Sequence, residues 1–332
     1  MVSQSAAHRL TTAVVLCTYN GADYLQAQLD SLYAQTRRPD WVVLSDDAST
    51  DATPALLTAA AQIFESMGVR VRLRCNTENL GYVRHFEQAL SGVDADVLFP
   101  CDQDDVWQAD KIETMAAQFE ADPALMLLHC DAGLIDAAGA PHGKRLLEVL
   151  EMTPEEWRNM TSGDAFDVLI RRNIVTGAAM AFRRSVLAQA RPFPAEWAHD
   201  EWIAVIAALE GRVRTLNSVY LGYRQHDNNQ IGVRARGMLH KVAGIAGYRK
   251  AFLARMETRY RVLAARVREM PDLPQARRTQ IDARLLHATR RNHAARALFS
   301  RAPDVVRELV SGRYHRFGRG FRSALVDLLG VD

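Results

Sequence analysis

Short apolar runs alternate with amphipathic segments through the first part of the chain. The apolar runs predict buried strands, and they occupy residues 13–17, 41–44, 96–100 and 125–130. Residues 69–75 predict a further strand. Between them, apolar residues recur at helical spacing and predict helices, at about 23–36, 54–67, 82–91 and 108–120. This alternation of strand and helix predicts an α/β fold with a Rossmann-like, mostly parallel sheet flanked by helices.

The middle of the chain has a weaker pattern. Residues 133–165 are mixed and predict an excursion or a flexible loop with a short helix. A strand-like apolar pattern resumes at 173–182, and one or two further strands are predicted at 212–223. Between them, residues 199–210 predict a helix. The sheet therefore extends into the second half of the chain.

The last part of the chain is helical in pattern and rich in Ala, Leu and Arg, with interruptions at Pro271 and Pro274 and again at Pro303. We therefore predict two parts, a sheet domain over residues 1–235 and a basic helical C-terminal appendage over residues 236–332.

Polar clusters follow three of the apolar runs, where each predicted strand ends. The clusters are Thr18-Tyr19-Asn20, Asp46-Asp47 and Asp102-Gln103-Asp104-Asp105. The carboxyl ends of parallel strands meet at one edge of a sheet, and ligands bind there in open α/β folds. We therefore expect the three clusters to form one site.

The cluster at residues 102–105 carries the strongest chemical signal. Its three carboxylates repel one another and are tolerable if a cation neutralises them. Hard oxygen ligands suit Mg²⁺ or Mn²⁺, which keep open positions for phosphate oxygens. The alternative is an acidic turn or helix N-cap, because acidic residues favour helix starts.

The other two clusters fit a nucleotide. Carboxylates at Asp46 and Asp47 can accept hydrogen bonds from a base or from ribose hydroxyls, and the Tyr19 ring can stack on a nucleobase. The alternative is structural, with Ser49, Thr50 or Asp51 capping the next helix. Both interpretations can hold together.

Charge is distributed unevenly along the chain. Residues 236–332 hold 21 Lys and Arg against 8 Asp and Glu, a net charge of +13, and the remainder carries −11. The basic region is either a solvated helical face or a surface for membrane headgroups or a lipid-linked diphosphate. Nucleic acid is not expected, because no nucleic-acid-binding signature accompanies the charge.

Targeting signals and cysteine usage favour a cytoplasmic protein. No apolar run is long enough to span a membrane, and the N-terminus lacks the pattern of a signal peptide. Four cysteines without a C-x-x-C pair predict reduced, mostly buried thiols. We expect a cytoplasmic location, with peripheral attachment to the inner face of the plasma membrane left open.

Four segments together resemble the successive N-terminal motifs of glycosyltransferase family 2. They are LCTYNGADYL, LSDDASTD, NLGYVRHF and PCDQDDVW. Their order and spacing match over roughly residues 13–110, with a weaker match to about 230. The resemblance implies a GT-A type fold.

The resemblance also assigns roles to residues of the first half. It implies that Thr18, Tyr19, Asn20, Asp46 and Asp47 face the nucleotide. It implies that Asp102 and Asp104 form the D-x-D pair, with Asp104 preferred as the direct metal ligand. Asp102 is also a candidate contact for the nucleotide, and Asp102 and Gln103 are candidate contacts for the sugar or the phosphates. Asn79, Gly81 and Arg84 fall in the sugar-nucleotide loop, where Arg84 could meet a phosphate or the base.

Two downstream segments extend the resemblance. Asp200 lies at a predicted helix start where the family has an acidic catalytic base, with Glu201 as the alternative, and His199 stands where many members have Glu. The segment that begins at Tyr223 is similar to rhamnosyltransferase-like members. There Arg224 is a candidate phosphate clamp, and His226 a candidate metal ligand or diphosphate contact.

These observations predict an inverting, metal-dependent glycosyltransferase. The resemblance favours dTDP-rhamnose as the donor, followed by a UDP-linked hexose. The expected acceptor is a cell-surface glycan or a lipid-linked acceptor. A nucleotidyltransferase and a non-catalytic nucleotide-sugar-binding protein are the alternatives, although the first would normally have a basic, Gly-rich loop after the first strand.

Overall fold

The structure is a computed structural model that describes residues 9–226, 245–294 and 298–329. The chain divides into two compact units. The first comprises residues 1–169 and 174–233, and the second comprises residues 170–173 and 234–332. The predicted boundary between residues 235 and 236 lies outside the described residues.

The described strands form one sheet in the first unit. They are β1 (Thr12–Thr18), β2 (Trp41–Asp46), β3 (Arg70–Cys75), β4 (Val97–Cys101), β5 (Val106–Trp107), β6 (Leu125–Ile135), β7 (Pro141–Arg145), β8 (Met180–Arg183) and β9 (Arg212–Arg224). Their order is β3-β2-β1-β4-β8-β6-β9-β5, and β7 pairs with β6.

The described helices of the first unit lie between these strands. They are α1 (Ala22–Tyr33), α2 (Thr53–Ser66), α3 (Tyr82–Ser91), α4 (Lys111–Ala121), α5 (Leu146–Val149), α6 (Pro154–Ser162), α7 (Phe166–Leu169), α8 (Leu187–Ala190) and α9 (His199–Glu210). The predicted helices at 23–36, 54–67, 82–91, 108–120 and 199–210 all form, with ends shifted by up to a few residues.

The parallel part of the sheet explains the continuous apolar runs. β1 pairs in parallel with both β2 and β4, with Leu16 opposite Leu44 on one side and opposite Cys101 on the other. All seven residues of β1 are buried. A strand covered on both faces has no solvent side and so shows no alternation of apolar and polar residues.

The rest of the sheet is mixed rather than parallel. β8 lies antiparallel to both β4 and β6, while β6 and β9 are parallel to each other. Of the predicted strand at 173–182, only residues 180–182 belong to a strand, β8 (Met180–Arg183), which follows a 3₁₀ turn at Gly177–Ala179. The described sheet confirms the α/β prediction. After β6 the chain makes a long excursion and re-enters the sheet at β8, which runs in the opposite direction to β6.

That excursion contains more regular structure than predicted. β6 continues to Ile135, and β7, α5, α6 and α7 follow before residue 170. Thr153 caps α6, since its Oγ1 accepts a hydrogen bond from the amide of Glu156, whose side chain accepts from the amide of Thr153.

The second unit consists of helices in its described part. They are α10 (Ile245–Arg268), α11 (Gln275–His293), α12 (Leu298–Val310), α13 (Arg313–Phe317) and α14 (Phe321–Leu329). Pro271 and Pro274 lie between α10 and α11 as predicted, but Pro303 lies inside α12 instead of ending a helix. Within the described residues, no helix is long and apolar enough to cross a bilayer.

Candidate active site

Three loops at the carboxyl ends of β1, β2 and β4 are joined by hydrogen bonds. Thr18 Oγ1 donates to Asp46 Oδ1 at 2.8 Å, which ties the first loop to the second. The side-chain amide of Gln103 bonds the backbone of Tyr19 at both ends, accepting from its N–H at 2.7 Å and donating to its carbonyl at 3.1 Å. The structure thus brings the three predicted clusters together.

Asn20 makes a second link between the first two loops. Its Oδ1 accepts from the amide of Thr50 at 2.9 Å, and its own amide donates to Ser49 Oγ at 2.8 Å. Tyr19 beside it is 43% exposed. The Tyr19 ring is therefore available at the surface of a loop whose backbone is held firmly.

Asp46 and Asp47 are both buried, and their oxygens hold the loops in shape. Asp47 accepts hydrogen bonds from the side chain of Asn76 and from the amides of Leu80 and Gly81 at 2.9–3.1 Å. Asp46 accepts in the same way from Ser49. Asp46 and Asp47 thus have a structural role in this structure. The helix cap that the sequence offered as the alternative is not formed, because α2 has Ala52 at its N-cap and no side-chain cap there.

The loop held by Asp47 leads into α3. Gly81 precedes the helix with φ of +78° and ψ of +151°, a conformation that residues with a Cβ rarely adopt. Asn79 donates to the carbonyl of Asp47 at 3.2 Å. Arg84 is exposed on the first turn of α3.

The end of β9 closes over the acidic loop. The amide of Arg224 donates to Asp105 Oδ1 at 3.0 Å, and its Nε donates to the carbonyl of Asp104 at 2.6 Å. Its Nη1 donates to the carbonyls of Asp136 and Ala137. The predicted phosphate clamp is therefore buried and braces the acidic loop in this structure.

His226 contacts the acidic loop directly. Its Nε2 lies 2.9 Å from Asp104 Oδ2, within hydrogen-bonding distance. Its ring stacks on Tyr24 with 4.6 Å between ring centroids. The pair Asp104 and His226 joins residues 122 positions apart in the sequence.

Negative charge is concentrated at this edge of the sheet. Burial, together with the neighbouring charges of Asp104 and Asp200, raises the pKa of Asp102 to about 7 against the opposing charge of Lys111. Burial, Asp104 and Asp102 also raise the pKa of Asp105, whose Oδ2 is buried without a hydrogen-bond partner. Asp102 and Asp105 thus hold their protons more tightly than ordinary aspartic acids, as expected of carboxyls that are buried and crowded together.

Lys111 is a functional candidate that the sequence analysis missed. It is fully buried, donates from Nζ to the carbonyl of Ala178 at 2.5 Å, and has Nζ 3.5 Å from the ring centre of Trp107. Burial lowers its pKa, while the charges of Cys130, Cys101, Asp105 and Asp102 oppose that shift. A signal was present, because Lys111 falls on the apolar face of α4 with Met115 and Phe119.

Asp200 joins the cluster from the first turn of α9. Its Oδ2 accepts from the amide of Gly177 at 3.1 Å, and its Oδ1 accepts from the amide of Glu201 at 2.7 Å. Helix N-termini favour such a carboxylate. Glu201, the alternative base, is half-buried one residue further along the helix.

His199, the residue before Asp200, is a buried packing residue. It is buried and stacks on Phe86 with 3.9 Å between ring centroids. Burial lowers the pKa of His199 to about 3, so the ring is neutral at physiological pH. Where many family 2 members have Glu, this chain therefore has an uncharged packing residue.

The predicted metal ligands are only partly assembled. Among the described residues, no three His, Cys, Asp or Glu side chains form a ready metal cage, so the set of Asp102, Asp104 and His226 does not form one here. Asp104 and His226 are the pair that touch. Carboxylates repel one another when no cation lies between them, and this repulsion disfavours gathering all the predicted ligands into one cage.

Known proteins resemble this chain in sequence. The family model described as glycosyl transferase family 2 matches residues 13–191, which is more than half of the chain. An uncharacterized protein of Mycobacterium tuberculosis (strain H37Rv) is 28% identical over 266 residues, covering 79% of this chain and 68% of that protein.

Solved structures resemble it in fold. S. aureus TarS in complex with UDP-GlcNAc has a TM-score of 0.55 at 18% identity, covering 84% of this chain and 72% of that chain. The mannosyltransferase PcManGT from Pyrobaculum calidifontis, in complex with GDP-Man and Mn²⁺, has a TM-score of 0.52 at 20% identity, covering 92% and 76%. The described sheet with its flanking helices has the GT-A fold of these glycosyltransferases. Because the family model covers more than half of its length, the chain belongs to glycosyltransferase family 2.

Proposed function

We propose that this glycosyltransferase inverts the anomeric carbon, depends on a divalent metal, and moves a hexose or deoxyhexose from a nucleoside-diphosphate sugar to an acceptor hydroxyl. One observation carries the proposal. Asp102 and Asp104 of the loop after β4 lie close to Asp200 of α9, which is distant in the sequence, and both Asp104 and Asp200 raise the pKa of Asp102. Their negative charge suits a divalent cation, and that cation would in turn bind the diphosphate of the donor.

The residues present fit Mg²⁺ or Mn²⁺. Mg²⁺ is usually bound by one or two carboxylates together with substrate phosphates and water, so a three-residue cage is not required. Asp104 is our proposed direct ligand, with Asp102 and His226 beside it. The metal would neutralise charge on the departing diphosphate. PcManGT, of the same fold, is described with Mn²⁺ and GDP-Man.

The nucleotide would lie over the joined loops at the ends of β1 and β2. Tyr19 offers an exposed ring for the base. Thr18, Asp46 and Asp47 would line the floor beside Asn20. Arg84, exposed on α3, is the proposed contact for a phosphate or the base.

Asp200 is the proposed catalytic base. Two backbone amides fix its carboxylate in place, and it would accept the proton of the acceptor hydroxyl as oxygen attacks the sugar from the face opposite the diphosphate. Attack from that face inverts the anomeric configuration. General-base catalysis of this kind contributes roughly 10²–10⁴-fold to the rate.

The proposed donor is dTDP-rhamnose, with a UDP-linked hexose next, and the proposed acceptor is a cell-surface glycan or a lipid-linked acceptor. The donor rests on the similarity of the Tyr223–His226 segment to rhamnosyltransferase-like members. The basic residues 236–332 would suit a lipid-linked diphosphate or peripheral contact with the inner face of a plasma membrane.

The test compares Asp200→Asn with wild type in a transfer and hydrolysis assay on a panel of UDP- and dTDP-sugars with Mg²⁺ or Mn²⁺. The variant should bind nucleotide with unchanged affinity and lose roughly 10²-fold or more in kcat. Asp110→Asn is the matched control, because Asp110 is exposed before α4 and makes no side-chain cap.

The outcomes also separate the alternatives. Full activity of Asp200→Asn removes the base assignment. A nucleotidyltransferase would release or transfer a nucleotidyl group instead of the sugar, and a non-catalytic binding protein would bind the panel without turnover in wild type.

A further inference from the structure

The last helix of the chain's described part presents an apolar face to solvent. Phe321, Leu325 and Leu329 lie one turn apart on α14, and Val326 lies beside them. Phe321 is 68% exposed, and the other three are exposed as well. An amphipathic helix normally turns such a face inward.

The core cannot account for this face, because the inner sides of the helices are already occupied. Val305 of α12, Tyr314 of α13 and Ala324 of α14 pack into a small buried cluster. On the outer side of α12, Val306 and Val310 lie one turn apart, and Val310 is 83% exposed. α12 and α14 thus both have a buried inner face and an exposed face that carries apolar side chains.

The two buried acids of this region add no negative charge to its surface. Glu308 accepts hydrogen bonds from Arg290 and Arg313 and contacts His287. Burial opposes the shift, but these partners lower the pKa of Glu308 well below its usual value.

Asp327 on α14 is arranged in the same way. Its carboxylate accepts from Arg249, Arg291 and the hydroxyl of Tyr314 at 2.6–3.0 Å. It is buried, so its charge is neutralised inside the unit.

Positive charge dominates what remains at the surface. Four exposed arginines lie close in sequence to the exposed apolar residues, and Asp304, which pairs with Arg307, is the partly exposed acid in the described part of α12 to α14. The arginines are Arg307, Arg316, Arg319 and Arg322. We call these four, together with Val306, Val310, Phe321, Leu325, Val326 and Leu329, the apolar–basic surface.

We propose that the apolar–basic surface docks on a bilayer that contains anionic phospholipid. Its apolar side chains would enter the boundary between headgroups and acyl chains, and its arginines would contact lipid phosphates. A second copy of the chain is the weaker partner, because a symmetric contact would set the same arginines against each other. The inference deepens the proposed function, whose lipid-linked acceptor would lie at such a membrane.

The experiment is co-sedimentation of the full chain with phosphatidylcholine vesicles, with and without phosphatidylglycerol. Wild type should bind the anionic vesicles, release them as salt rises, and bind pure phosphatidylcholine far more weakly. The variant Phe321→Ser/Leu325→Ser should lose roughly tenfold or more in affinity for anionic vesicles. Both side chains are exposed, so the fold should tolerate the change, and thermal unfolding checks this.

The matched control is Phe252→Ser/Leu286→Ser. It removes the same two side-chain types from exposed positions of α10 and α11 in the same unit, and it should bind vesicles like wild type. A further variant, Arg316→Gln/Arg322→Gln, should lose the preference for anionic lipid.

Three results would overturn the inference. They are absence of vesicle binding by wild type, equal loss in the control, and a wild-type dimer in analytical ultracentrifugation that Phe321→Ser/Leu325→Ser converts to monomer. Vesicle binding is measured without a sugar donor. Failure of the membrane inference therefore leaves the transfer assay untouched, and failure of transfer leaves vesicle binding untouched.

Discussion

Gln103 shows how much of the candidate site depends on single side chains. Gln103 is a predicted contact for the sugar or the phosphates, and both ends of its side-chain amide bond the backbone of Tyr19. It therefore fixes the loop that would carry the base-stacking ring. Each such bond contributes about 1 kcal/mol net.

We expect Gln103→Ala to raise the KM for the sugar donor roughly tenfold, because two hydrogen bonds that order the Tyr19 loop are lost. The thermal unfolding temperature should change little, since Gln103 is only half-buried. Gln108→Ala is the control, because Gln108 is exposed in the segment between β5 and α4. An unchanged donor KM in Gln103→Ala would show that the loop is ordered without it.

The sequence predicts some site residues and not others for a physical reason. Asp104 and His226 each follow a strand, so their meeting at the sheet edge follows from the parallel pattern. The burial of Lys111 is indicated only by its place on the apolar face of α4, and a charged residue at a helix start is ordinarily solvated. The internal bonds of Asp47 depend on where the chain turns after β3, which apolar periodicity does not specify.

Helix α9 carries an acid at each end, in opposite electrostatic settings. Asp200 lies at the N-terminus, where the helix dipole favours a carboxylate, and Glu210 lies at the C-terminus, where the dipole disfavours it. Burial raises the pKa of Glu210 from 4.5 to about 7.

Glu210→Gln should therefore stabilise the protein at alkaline pH. The folded state holds the Glu210 proton more tightly than the unfolded state, so the free energy of unfolding falls as pH rises from about 4.5 to about 7 and then levels off. The variant should gain on the order of 1 kcal/mol at pH 8, after allowance for partial exposure, and nothing near pH 4.

Urea unfolding at both pH values measures this gain. Glu65→Gln is the control, because Glu65 is exposed in the last turn of α2 and should give the dipole effect without burial. A gain of equal size at both pH values would contradict the role assigned to the Glu210 charge.

Elements could be predicted where local pattern decides them. β1, β2 and β4 follow from apolar runs, and α9 forms over the predicted residues 199–210. β5 has two residues and exists because β9 pairs with it across the sheet. β8 has four residues within and just beyond the predicted strand, and its antiparallel direction depends on the path of the preceding excursion. Contacts between distant residues decide the existence of β5 and the direction of β8, so the sequence alone did not show these two features.

At the scale of the whole molecule, the two units use charge differently. The first gathers acids at an open sheet edge, and the second, though strongly basic, buries Glu308 and Asp327 among arginines. A buried ion pair adds little net stability when complete, but loss of one partner leaves an uncompensated charge.

Asp327→Ala should consequently destabilise the second unit by about 3–5 kcal/mol, because Arg249 and Arg291 would lose their shared carboxylate. Asp304→Ala is the control and should cost less than about 0.5 kcal/mol, since its pairing with Arg307 is exposed. Equilibrium urea unfolding compares the two. Similar small losses in both would show that the buried arginines find other partners.

The central claim is that the acidic sheet edge holds a cation that grips a diphosphate, and calorimetric titration of UDP and dTDP tests it most directly. With Mn²⁺ or Mg²⁺, wild type should bind at least one of the two roughly tenfold or more tightly than after chelation with EDTA, a difference of about 1.4 kcal/mol. Asp104→Ala should bind weakly under both conditions. Nucleotide affinity that stays the same after chelation, or an Asp104→Ala variant that responds to metal like wild type, would contradict the account.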